Sequence, residues 1–134
     1  MNKFVSDEAL SVSGFTRANL MIHTPQRDAC IAFMKFLKPY VELFPQVMVT
    51  HSLNNFDWRF VDWLFRKQEL NYSLYKILRH DYQESTIKMG RDAGYQTNKL
   101  NEWADRLNMT FNHHNALDDA RMCLEVYRHL KGKF

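Results

Sequence analysis

Apolar residues recur at helical spacing along most of the chain. Cys30, Phe33, Met34, Phe36, Leu37 and Tyr40 form one such stripe, predicting a helix over about 26–38. Thr24 and Pro25 suit its cap and first helical residue, and Pro39 marks its end region. Pro45-Gln46 then breaks the chain, and Val47–His51, short, β-branched and apolar, reads as a buried strand. Asn54 or Asn55 is placed to cap the next helix, whose stripe of Phe56, Phe60, Val61, Leu64 and Phe65 runs through Lys67. Tyr75–Arg79 reads as a second strand, and a helix is expected over about 83–90. Two further helices follow. Thr97–Leu107 turns Leu100, Trp103, Ala104 and Leu107 inward, and Ala116–Lys131 puts Ala116, Ala120, Cys123, Tyr127 and Leu130 on one face. Near the start, Ser11–Thr16 reads as a turn leading into a helix.

Strands separated by helices pair in parallel, so the pattern predicts a helix-rich α/β layer. Two short strands make a thin sheet. Strand 47–51 has no Lys or Pro to guard an edge, and Phe33, Phe36, Phe60 and Cys123 lie on stripes that need a partner layer. The expectation is burial against another chain, either a second copy or a complementing fragment.

Composition narrows the class without naming a function. The 134 residues suit a single domain over 1–134, and 46% hydrophobic with 25% charged residues excludes a disordered chain. Lys plus Arg number 18 against 15 Asp plus Glu, a net charge of +3 that tolerates a polyanion without demanding one. No apolar run reaches membrane-span length and no signal-peptide pattern opens the chain. A cytoplasmic protein with Cys30 and Cys123 as free thiols is expected.

Two segments carry candidate chemistry. In His113-His114-Asn115-Ala116-Leu117-Asp118-Asp119, Asn115 is a good helix cap and Asp118 reads as its capping-box-like partner. Asp119 differs, standing beside the apolar face, with His114 held on the loop over the same helix end. A carboxylate beside an imidazole suits metal binding and water activation. In Asn54-Asn55-Phe56-Asp57, Asp57 falls in the first turn of a helix that follows a strand, at the sheet edge where open α/β proteins hold ligands. A carboxylate there also suits the helix dipole, and by itself that plainer role would suffice.

Taken together, these segments resemble the DEDDh (DnaQ-like) 3′–5′ exonucleases of the ribonuclease H-like superfamily. His114-x-Ala116-Leu117-x-Asp119-Ala120 looks like their third motif, and Asn55-Phe56-Asp57 after an apolar strand looks like their second. Tyr95-x-x-x-Lys99-Leu100-x-x-Trp103-Ala104-x-x-Leu107 resembles the helix before the third motif. Ala9-Leu10-x-Val12-x-Gly14-Phe15-Thr16 resembles the turn after the family's third strand. The resemblance implies that Asp57 and Asp119 bind metal, that His114 is the general base, and that the substrate is the 3′ end of single-stranded DNA or RNA. It also implies Mg²⁺ or Mn²⁺ as cofactor.

Two departures stand out. Ser52-Leu53 occupy positions where many members carry Asn or His-Asn. More seriously, the first motif, Asp-x-Glu, is absent: Asp7 and Glu8 are adjacent. The expected fold is therefore a partial ribonuclease H-like exonuclease fold lacking the first three strands of the family sheet. A two-ion site would form only if the missing carboxylates were supplied, and the chain alone is expected to be inactive. The alternatives are a non-catalytic pseudo-exonuclease that binds nucleic acid or protein, and a helical interaction domain whose motif matches are accidental.

Overall fold

The computed structural model describes residues 6–41, 47–54, 56–70, 83–96 and 99–132. Helix α1 (Asp7–Ser13) starts at Ser6, whose Oγ accepts from Ala9 N–H at 3.1 Å, and stops at Gly14, where φ is 73°. That left-handed turn favours glycine. The turn expected over Ser11–Thr16 is thus confined to its last three residues, while Ala9–Ser13 are helical. Thr16 then caps α2 (Arg17–Ile22) through a capping box with Asn19. Helix α3 (Gln26–Val41) follows Pro25, whose carbonyl accepts from Ala29 N–H, and it continues two residues past Pro39.

Strand β1 (Met48–Thr50) is shorter than the apolar run that announced it. Helix α4 (Phe56–Lys67) has the expected bounds, but its first amide donates to Ser52 Oγ at 3.1 Å. The second strand expected at 75–79 lies outside the described residues. Parallel pairing does occur, with β2 (Gln83–Ser85), in the register Met48↔Gln83, Val49↔Glu84, Thr50↔Ser85. The helix expected from residue 83 begins three residues later as α5 (Thr86–Asp92), with Ser85 closing the strand and capping the helix through Lys88 N–H. Gln-Glu-Ser carries no apolar alternation, so nothing in its pattern announces a strand; backbone pairing to β1 decides it. Helix α6 (Leu100–Leu107) and helix α7 (Ala116–Lys131) complete the described elements.

The core has two centres. In one, Leu100, Trp103 and Ala104 of α6 meet Met122, Val126 and Leu130 of α7, with Met89 of α5 against them. Gly90 lets α5 approach closely, since a Cβ there would sit 3.3 Å from Trp103 Cζ2. In the other, Cys30 of α3 packs on Trp58 and Phe65 of α4, with Met48 of β1 partly buried beside them. The α6 stripe matches expectation. In α7 the buried set is turned by about a residue: Met122 and Val126 are buried, Ala116 and Ala120 exposed. The helix serves α5 and α6 on one side and β1 on the other. Phe36 and Tyr40 of α3 stay exposed, with Phe33 partly so, stacked along that helix. No described helix is long and apolar enough to cross a membrane.

Candidate active site

Strand β1 runs into the turn at His51, and the chain re-enters helix within a few residues, so the start of α4 lies at the C-terminal end of the strand. Asp57 is the second residue of α4. From the other side comes α7, whose first turn is fixed by Asn115: its Oδ1 accepts from Leu117 and Asp118 N–H, both at 3.1 Å. Asp118 is therefore held through its amide, while its carboxylate turns 3.7 Å from Arg121 instead of closing a capping box. Asp119 N–H donates to Asn115 O at 2.8 Å.

Between these elements lies a groove of about 780 Å³. Its floor is β1 with the flanking Val47 and His51, one wall carries Asp57, Trp58 and Val61, and the other carries Asp119, Ala120 and Cys123. Asp57 and Asp119, distant in sequence, thus line one cavity. The Cys123 thiol reports on it, being pushed up to about 11, chiefly by burial; a hydrogen bond with Thr86 opposes the shift and the Asp57 charge adds to it. Asp119 stands one helical turn before Cys123 on the same face.

The two imidazoles divide differently from the sequence reading. His114 has φ 68°, is exposed, and stacks its ring on His113 at 3.7 Å between centroids. The imidazole facing Asp119 is that of His113, whose Nδ1 lies 3.8 Å from Oδ1. That Oδ1 is buried and has no hydrogen-bond partner. Sequence reasoning also passed over His51, whose Nδ1 meets Thr86 Oγ1 at 2.7 Å. The Thr86 hydroxyl donates to Thr50 O at 3.2 Å, so its oxygen accepts from His51 Nδ1–H. This contact ties the end of β1 to α5 beneath the groove. Its only sequence signal was the position of His51 at the end of the strand expected over 47–51. Among the described residues, no group of three or more His, Cys, Asp or Glu is arranged to hold a metal ion.

A family model described as exonuclease, of the RNase T type, matches residues 2–127. The chain belongs to this DnaQ-like exonuclease family. No curated protein and no solved structure matches it. Membership supports a nuclease-type function and implies a nucleic-acid substrate, and the family generally uses divalent metal ions. In this exonuclease-family chain, Asp57 and Asp119 are the carboxylates that the fold brings to one groove.

Proposed function

We propose that the chain is an incomplete DEDDh-type exonuclease domain, inactive alone, that removes nucleotides from 3′ ends of single-stranded DNA or RNA once the missing carboxylates are supplied, with Asp57 and Asp119 as metal ligands and His114 as general base. The observation that carries this reading is the pair of carboxylates on one groove, one with a buried oxygen that makes no hydrogen bond and has the His113 ring nitrogen 3.8 Å away. A buried oxygen without a hydrogen bond calls for an explanation, and a cation is a natural one. Two carboxylates would hold one Mg²⁺ or Mn²⁺ and do not make a two-ion site. A bound ion would polarise the scissile phosphate and acidify the attacking water.

The chain's own residues do the rest. Asp57 and Asp119 would hold the ion on the groove. A ring nitrogen of His114 accepts the water proton as the water oxygen bonds to phosphorus and the bond to the neighbouring 3′-oxygen breaks. The ring is steadied against His113. The sequence contains no Asp-x-Glu. In this reading those carboxylates arrive on an extended apolar segment laid along the groove beside β1, by strand addition. The groove floor, Val47-Met48-Val49, suits such a strand.

The test is nucleotide release from a single-stranded oligonucleotide with Mn²⁺, for the chain alone and for the chain fused to an apolar strand bearing Asp-x-Glu. Release by the fusion only, abolished by Asp119→Ala, supports the reading. Robust release by the chain alone that Asp119→Ala abolishes would show that no further carboxylates are needed. Silence in every arm would favour a non-catalytic relative.

A further inference from the structure

Helix α4 has two working faces. Trp58 and Phe65, 3% and 1% exposed, anchor it in the core. On the opposite face Phe56, Phe60 and Trp63 follow one another at helical spacing and are 68%, 53% and 51% exposed. The Phe60 and Trp63 rings lie 5.8 Å apart, and Lys67 continues the ladder with its Nζ 4.9 Å from the Trp63 ring centroid. Arg59 flanks them, and a shallow hollow of about 510 Å³ opens among Leu53, Asn54, Phe56, Arg59, Phe60 and Trp63.

We infer that this face binds single-stranded nucleic acid, with bases stacking on Phe60 and Trp63 and phosphates meeting Arg59 and Lys67. Exposed aromatic rings alternating with cations on one stripe are complementary to a polymer that presents open π-faces and negative charge together. A duplex hides its base faces, and a purely apolar partner would leave the two cations unmatched. Phe56 to Trp63 spans about 10 Å along the helix, room for two or three stacked bases. The ladder starts one residue before Asp57, so a strand lying on it leads its end into the groove. In that respect the inference rests on the exonuclease reading, although binding itself needs neither carboxylate.

The test is fluorescence anisotropy of a labelled oligodeoxythymidylate with the full chain in EDTA, where hydrolysis is silent. Phe60→Ala and Trp63→Ala should each weaken binding by roughly tenfold. Arg59→Ala should lower the slope of log affinity against log salt by about 0.7. Met21→Ala, at an exposed position on α2, should bind as the wild type does, and duplex DNA should compete poorly. The substituted residues are exposed, and circular dichroism confirms that the fold is kept. Binding undiminished in the Phe60→Ala/Trp63→Ala double variant would overturn the inference. So would substitutions that split a dimer in sedimentation and leave oligonucleotide binding unchanged. Ladder-dependent binding with no hydrolysis in any arm would leave this inference standing and remove the exonuclease one.

Discussion

Asp119 and Cys123 lie one turn apart on α7 and face the same groove, yet their side chains have opposite needs. The carboxylate has an oxygen without a hydrogen bond, and the thiol is kept neutral by burial. Cys123 titrates near 11 in the fold against 9.0 as its ordinary value, so the folded chain holds that proton longer than the unfolded one. Stability from this source is complete below pH 9 and is lost as pH rises from 9 to 11, by roughly 3 kcal/mol at most. Denaturant midpoints measured across that range should fall, and Cys123→Ser should flatten the fall. Burial raises Cys30 too, so both thiols should resist a disulfide-exchange reagent at pH 8 until the chain is unfolded. At the loop, His114→Gln should lower the release rate of the strand-completed enzyme by about a hundredfold or more, and His113→Gln by less, in the same assay. The meeting of Asp57 and Asp119 on one groove was legible because each follows a recognisable strand or cap. Which of the two adjacent imidazoles faces Asp119 was not, since the left-handed backbone at His114 has no signature in the periodicity.

Secondary structure was legible where one face alone decides it. In α6, Leu100, Trp103 and Ala104 are buried as their spacing says, because the helix packs on a single side. Helix α7 serves two sides, so its apolar set is broader than one stripe and Met122 and Val126 were missed. Strand β2 was invisible because its three residues are polar and half-buried, and only pairing with β1 makes them a strand. Caps were legible when the side chain adjoins the helix, as at Asn115, and not when it reaches over four positions, as at Ser52. Asn115→Ala should cost about 1 kcal/mol, a fall of a few degrees in Tm by thermal denaturation. Because the frayed turn carries Asp119, the same substitution should also weaken Mn²⁺ binding.

At the scale of the whole molecule, the described sheet has two strands, and β1 borders an open groove on the side of Asp57 and Asp119. Phe33, Phe36 and Tyr40 stand on α3 with their rings stacked and exposed in part or in full. Each fully exposed Phe forgoes about 1.5–3 kcal/mol of burial, so a partner that covers several of them gains an amount comparable with the stability of a small domain. Sedimentation at micromolar concentration should therefore show association, and Phe36→Ser should reduce it; a monomer that unfolds cooperatively would show that the core closes without help. Family membership was legible in the sequence as a resemblance spread over most of the chain. The account turns on whether Asp57 and Asp119 act as one site, and Mn²⁺ titration followed by electron paramagnetic resonance tests that directly. One weak Mn²⁺ site, lost in both Asp57→Asn and Asp119→Asn, is the predicted result. Mn²⁺ binding that is absent, or unchanged by both substitutions, would contradict it.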